Sequence, residues 1–178
     1  METPILITDR LLLRPFTIMD IQEVYECWQK DPDVSRYMMW ESSEDIEEAR
    51  AFIEFELTML RDDSWYRWCI TDKLSRTIYG TCLIYFNDEE SCWDISYNLG
   101  KKYWNRGYAT EAMKAVMEYA AYILGLEECI ATHAIENPAS GRVIEKLGFQ
   151  FEKVIPYICN GGKIHTTGKM YRLKIQSV

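Results

Sequence analysis

The run Asn105-Arg106-Gly107-Tyr108-Ala109-Thr110 has the residue types of a loop that turns into a helix around an anion. The first amides of a helix have no intrahelical acceptor and lie at the positive end of its dipole. A pyrophosphate set there takes several backbone hydrogen bonds. Gly107 lets the backbone come close to it, Ala109 is small for the same reason, and Arg106 can add a charge-assisted contact. The bland alternative is a turn with an incidental glycine. A second segment runs from Glu136 to Phe149. Asn137 can cap a helix there, and Ser140, three residues on, lies near the same helix end. Together they can present polar groups to one ligand lying between this helix and the preceding one, although capping alone would also account for Asn137.

These segments need elements to hold them. Ile5 to Phe16 reads as a strand closed by Pro15, and Thr17 with Asp20 gives a weak cap signal for a helix over about residues 19–30. Asp31-Pro32-Asp33 breaks that helix. Ser43 can cap a second helix from Glu44 to about Leu60, in which Ala49, Phe52, Ile53 and Leu57 form one apolar face opposite a strongly acidic one. Strands follow at Tyr66–Thr71, Thr77–Phe86 and Cys92–Leu99, the last two joined by a polar hairpin loop. A helix from about Gly107 to Leu124 buries Ala109, Ala112, Met113, Val116, Ala120 and Ile123, and Gly125 ends it. A short strand at Cys129–Ala134, a helix from Asn137 to about Leu147, and a hairpin of Phe149–Tyr157 with Gly168–Ile175 around Asn160-Gly161-Gly162 complete the chain. The order is β-α-α-β-β-β-α-β-α-β-β, a mixed α/β chain whose sheet is mostly antiparallel and flanked by about four helices.

Composition narrows the function. The 178 residues suit one domain, and 48% hydrophobic with 27% charged residues describes a globular chain able to bury a core. The Met1-Glu2-Thr3-Pro4 start lacks the marks of a signal peptide, and no apolar run approaches the roughly 20 residues of a membrane span, so a cytoplasmic protein with no membrane partner is expected. Cys27, Cys69, Cys82, Cys92, Cys129 and Cys159 include no Cys-x-x-Cys pair, and His133 and His165 stand far apart, so we expect no metal and mostly buried thiols. Asp and Glu outnumber Lys and Arg by 28 to 20, a net charge of -8, which disfavours nucleic acid and is compatible with a cationic substrate.

Three stretches carry a family resemblance: Thr8-Asp9-Arg10-Leu11-Leu12-Leu13-Arg14-Pro15, Tyr103-Trp104-Asn105-Arg106-Gly107-Tyr108-Ala109-Thr110-Glu111-Ala112, and Asn137-Pro138-Ala139-Ser140 leading to Glu145-Lys146-Leu147-Gly148-Phe149. In this order, across nearly the whole chain, they resemble the GCN5-related N-acetyltransferases (GNAT), and within them the ribosomal-protein acetyltransferase branch typified by RimJ and RimL. The resemblance implies a splayed sheet with acetyl-CoA wedged between Cys92–Leu99 and Cys129–Ala134. It implies that main-chain groups of Tyr97 and Leu99, with Asn98 between them, hold the pantetheine arm, and that amides of Arg106, Gly107, Tyr108, Ala109 and Thr110, following Asn105, hold the pyrophosphate. Asn137 would bond the pantetheine arm, with Ser140 and Arg142 along the rest of the donor. Trp104 stands where the wider superfamily often has Gln or Arg, as is usual in the RimJ/RimL-like branch. A Tyr that many members carry seven residues after the Asn is replaced by Ile144, which cannot protonate a thiolate, and Ser140 is the substitute.

The implied reaction is attack of a neutral amine on the thioester. Asp94, on the strand flanking the thioester, is the candidate base; His133 and Glu136 are competitors. Met38, Met39 and Trp40, with Trp65, Tyr66 and Trp68, are candidates for an apolar substrate wall. The leading acceptor is a protein N-terminal amine. The alternatives are a small amine, such as a polyamine or an aminoglycoside, and a non-catalytic acyl-CoA sensor. The oligomeric state is open between monomer and homodimer.

Overall fold

Residues alternate across β-strands, and here the alternation decides which helix covers which face. A computed structural model describes residues 2–175. Among them, β1 (Leu6–Ile7), β2 (Leu11–Arg14), β3 (Trp65–Asp72), β4 (Ile78–Asn87), β5 (Cys92–Leu99), β6 (Glu128–Ala134), β7 (Gln150–Cys159) and β8 (Ile164–Lys174) form one eight-stranded sheet ordered β1-β2-β3-β4-β5-β6-β8-β7. Its pairs are antiparallel except β5 with β6, which is parallel. The α-helices are α1 (Ile21–Val24), α2 (Pro32–Ser35), α3 (Ile46–Met59), α4 (Tyr108–Tyr122) and α5 (Pro138–Lys146).

One face of the sheet presents Leu11, Leu13, Tyr66, Trp68, Ile70, Cys82, Ile84 and Ile95 to Ala112, Met113, Val116, Tyr119 and Ala120 of α4. The other presents Cys69 and Ile78 to Val24 of α1, Ala49 and Ile53 of α3, and Phe16, Trp28 and Val34. Each fully buried large side chain contributes about 1.5–3 kcal/mol, so the two cores fix the helices to opposite faces.

The strand expected over Ile5–Phe16 is two strands. Thr8 N–H donates to the Leu11 carbonyl (3.0 Å), and the Thr8 hydroxyl accepts from Leu11 N–H (2.9 Å), so a side chain closes a tight turn at residues 8–10. The first helical stretch is a 3-10 turn (Ile18–Asp20), α1 and a π turn (Tyr25–Gln29), with the expected Thr17–Asp20 capping box at its start. Asp31 ends it and caps α2, its carboxylate accepting from Asp33 N–H at 2.9 Å. The cap of α3 is Asp45, not Ser43: Asp45 accepts from Glu47 N–H (3.0 Å), while the Ser43 hydroxyl accepts from Asp45 itself (3.1 Å). Ile123, expected on the buried face of α4, lies past its end and is 57% exposed. Gly125 takes φ +65 there, and Leu126 N–H closes onto the Ala120 carbonyl at 3.0 Å. All six cysteines are free, five buried and Cys27 half-buried. No helix of the described residues is long and apolar enough to cross a membrane.

Asp20 ties the first helix to β2. Its carboxylate accepts from both terminal nitrogens of Arg14 (2.8 and 2.7 Å) and from Thr17 N–H (2.7 Å). Burial works to raise its pKa, but the hydrogen bonds from Arg14 and Thr17 outweigh that and hold it below the ordinary value. Its stabilisation is therefore present above the unfolded-state pKa and is lost as pH falls through the folded one. We predict that Asp20→Ala lowers unfolding stability at pH 7 by roughly 2 kcal/mol, with the deficit shrinking in acid; denaturant melts at several pH values test this.

Candidate active site

β5 keeps its pairing with β4 along its full length, from Gly80↔Leu99 to Asn87↔Cys92. β6 does the same with β8, from Glu128↔Lys174 to Ala134↔Gly168. Yet β5 and β6 meet at Asp94↔Ile130 and Ile95↔Ala131, and beyond these pairs the strands part. Gly100 N–H donates to the Tyr79 carbonyl on β4 (2.9 Å). Backbone direction alternates along an antiparallel strand, so Tyr97 and Leu99 turn their main chains toward the opening. An extended ligand can add there as a strand would. The indole N–H of Trp104 already donates to the Leu99 carbonyl at 2.7 Å, which ties the loop after β5 to the strand end.

That loop leads to Gly107, the N-cap of α4, at φ +80. The left-handed backbone favours glycine there; a Cβ would meet only Arg10 Nη2, at 3.5 Å. Asn105 is also left-handed, at φ 59. Where α3 and α5 are capped by Asp45 and Asn137, no side chain caps α4. The amides of Tyr108, Ala109 and Thr110 have no intrahelical acceptor by helix geometry. Lys101, Lys102, Asn105 and Arg106 around them are exposed. Lys101 pairs with Asp33, and the Lys102 ammonium lies 4.9 Å from the centre of the Tyr103 ring, so Arg106 and the uncapped amides are what the loop offers an anionic ligand.

Across the opening, Asn137 Oδ1 accepts from Ser140 N–H (3.3 Å), so the capping reading holds. Ser140 does more. The Tyr97 hydroxyl reaches from β5 to the Ser140 carbonyl (3.0 Å) and lies 2.9 Å from its hydroxyl, bridging strand and helix across the opening. Burial pushes the Tyr97 phenol above its ordinary pKa. Ile144 is buried in the core beneath α5. Arg142 is exposed on α5. Asn98 is 8% exposed, and its Nδ2 has no protein partner, a buried donor left for a ligand.

Asp94 sits where the strands part and is 8% exposed. It accepts from the Tyr85 hydroxyl (3.3 Å) and Asn87 Nδ2 (3.2 Å). Burial raises its pKa to about 6, against these hydrogen bonds. Its competitors are less well placed. His133 is buried, its Nδ1 2.8 Å from the Ala134 carbonyl; its Nε2 faces α5 so closely that a Cβ on Gly141 would come within 2.8 Å. Glu136 is exposed, accepts from the Thr166 hydroxyl (2.5 Å), and this bond holds its carboxyl below the ordinary range.

The expected aromatic wall is divided by the sheet. Trp65 lies on the α3 side, with its indole N–H on Glu56 (2.9 Å) and its ring centroid 5.5 Å from that of Tyr85. Glu56 also pairs with Arg67 at 2.7 Å, and burial pushes Glu56 up and Arg67 down. Trp40 packs against the core on the same side. Met38 is half-buried, its carbonyl accepting from Asn160 N–H at 2.6 Å, while Met39 is exposed. Trp68 and Tyr66 belong to the opposite core, and Trp68 is fully buried with its indole N–H on the Pro4 carbonyl at 2.7 Å. A spacing of three along a strand puts Trp65 and Trp68 on opposite faces, so Trp68 is removed from the wall. Tyr157 joins the α3 side: its hydroxyl donates to the Tyr37 carbonyl (2.9 Å), and burial, reinforced by the Asp94 charge, raises its pKa to about 12. The sequence pattern did not single out Tyr85, Asn87, Tyr157 or the Tyr97 hydroxyl. The register of β4 against β5 is what brings the first two to Asp94.

A sheet opened between two parallel strands, beside an uncapped glycine-led helix, can hold an extended ligand that carries an anionic group. Residues 10–150 match the family described as the acetyltransferase (GNAT) domain. The chain is 31% identical over 166 residues to the Uncharacterized N-acetyltransferase YoaA of Bacillus subtilis (strain 168), covering 92% of this chain and 93% of that protein. A GNAT-family acetyltransferase structure from Bacillus anthracis superposes with a TM-score of 0.82 at 26% identity, covering 96% of this chain and 98% of that one. RimL, a ribosomal L7/L12 alpha-N-protein acetyltransferase solved with coenzyme A, superposes at 0.84 with 16% identity, covering 98% and 100%. The chain belongs to the GNAT acetyltransferase family, and it is an acyltransferase of the N-acetyltransferase type.

The bridge across the opening is testable without substrate. Tyr97→Phe and Ser140→Ala are expected to show a coupling of about 1 kcal/mol in a double-mutant cycle of unfolding free energies. Strictly additive losses would mean that the two hydroxyls do not interact.

Proposed function

We propose that the chain transfers the acetyl group of acetyl-CoA to a primary amine, with a protein N-terminal amine as acceptor, in the RimJ/RimL-like manner. The observation that carries this is Asp94: a carboxylate buried at the point where β5 and β6 part and lifted to about 6. A base poised near operating pH suits removal of an amine proton. Amides from Arg106 through Thr110 receive the pyrophosphate, and main chain of Tyr97 and Leu99 holds the pantetheine arm, with Asn98, Asn137, Ser140 and Arg142 alongside. The amine nitrogen attacks the thioester carbonyl, the C–N bond forms, and the C–S bond breaks. The amine proton passes to Asp94. The departing thiolate takes a proton from the hydroxyl pair of Ser140 and Tyr97, which solvent replenishes. Holding both reactants supplies the remaining advantage.

Support for a protein acceptor is the partly exposed Met38, Trp40 and Trp65 on the Asp94 side, with Tyr37 and Tyr157, and the activity named for RimL. The acidic balance favours any protonated amine, so the acceptor needs a direct test. Thiol release is measured with free-N-terminal peptides, N-blocked lysine peptides, a polyamine and an aminoglycoside. We expect the free N-termini to give the highest kcat/KM. A polyamine preference would move the reading to small amines, and CoA binding without release for any amine would remove transfer.

The pH profile is the second test. We predict that kcat/KM rises through about pH 6 as Asp94 ionises, and again near the α-amino pKa of about 8. Asp94→Asn abolishes the lower limb and reduces turnover by about a hundredfold. Because the folded pKa of Asp94 exceeds its ordinary 3.8, its ionisation costs stability as pH rises from about 4 to about 6. The same variant is therefore expected to gain roughly 2 kcal/mol of stability at pH 7, a gain that a merely structural carboxylate hydrogen bond would not give.

A further inference from the structure

The turn that divides β1 from β2 reaches the start of α4. Glu111, in the first turn of α4, accepts from the Thr8 hydroxyl (2.6 Å), from Arg10 N–H (2.9 Å) and from Arg10 Nε (2.6 Å). Arg10 Nη1 donates to the Arg106 carbonyl at 3.1 Å, and the guanidinium lies 4.5 Å from the centre of the Tyr108 ring. The turn is held in its own right. Lys73 donates from its ammonium to the Thr8 carbonyl and from its backbone N–H to the Arg10 carbonyl, both at 2.9 Å.

We infer that Arg10 is a positioning residue for the acyl donor: it fixes the Arg106–Gly107 peptide in the orientation that offers the Gly107 amide to the pyrophosphate, and it neutralises Glu111 beside that place. The inference rests on the pyrophosphate assignment to residues 105–110. A peptide unit is planar and trans, so holding the Arg106 carbonyl sets the direction of the Gly107 N–H. Without that hold, the unit leads directly into Gly107 at φ +80, where glycine makes a peptide flip inexpensive. Charge points the same way. Glu111 is an anion in the first turn of the helix meant to receive another anion, and its side chain is 18% exposed. Arg10 and Thr8 occupy both of its oxygens, so its charge is spent inside the protein rather than against the ligand.

The test uses CoA and pantetheine, which lacks the pyrophosphate, as probes in calorimetric titrations of the full chain. We expect wild type to bind CoA more tightly than pantetheine. Arg10→Ala should weaken CoA by about tenfold, as the loss of a charge-assisted contact would, and leave pantetheine unchanged. Arg10→Lys keeps a cation over Tyr108 but cannot span Glu111 and the Arg106 carbonyl together, so it should weaken CoA in the same direction; it also carries the test if the alanine variant does not fold. Equal losses for both probes, or wild-type CoA affinity in either variant, would overturn the role of Arg10. Equal affinity of wild type for the two probes would instead overturn the pyrophosphate assignment itself.

Discussion

Everything around the candidate site depends on where β5 and β6 stop pairing. Both strands remain bound to their other neighbours, so neither can turn to satisfy the other. The result is a wedge whose walls carry main-chain donors and acceptors, and such groups are rarely left unmet inside a protein. The chain answers some of them itself. Trp104 takes the Leu99 carbonyl, and Tyr97 spans to Ser140 on the facing helix. What remains is an opening between β5 and β6 next to a helix whose first amides no side chain caps.

The sheet also separates two electrostatic regimes. On the side of α4 and α5, the start of α4 offers uncapped amides beside the exposed Arg106. On the side of α1 and α3, a polar run crosses three strands: Glu56 with Arg67, then Tyr85, then Asp94 with Asn87. Burial perturbs each of the ionisable members of that run. In the proposed reaction, donor and acceptor enter from these two sides and meet where Asp94 and Ile95 end the pairing. Ile144 supplies no phenol at α5 because it fills the core there. Tyr97 instead brings a phenol to the start of that helix from the strand, beside the serine read as the proton donor.

Much of this was legible in the chain itself, for local reasons. Strand-like runs broken by the polar loop at residues 87–91 located β3, β4 and β5. The apolar stripe of Ala112, Met113, Val116 and Ala120 located α4. Gly107 before an apolar-faced helix, and Asn137 before Pro138, marked two helix starts through backbone chemistry that acts within a few residues. The errors were local too: the Thr8 side chain closes a turn inside what reads as one strand, and Asp45 outcompetes Ser43 as a cap because it lies one residue before the helix.

What only tertiary structure decided are the contacts made between segments far apart in sequence. Trp65 and Trp68 read as one aromatic wall, yet the sheet lies between them. Asp94 read as one strand carboxylate among several; its burial, its hydrogen bonds to Tyr85 and Asn87, and its raised pKa follow from strand register. Arg10 read as part of a motif without a task, because its partners Arg106 and Glu111 come to it only when α4 packs on β2. Residue type and short-range spacing determine which groups can bind an anion or move a proton. Desolvation and the pairing of distant groups, which set whether they are poised to do so, arise only when the sheet and its two helical layers close around them.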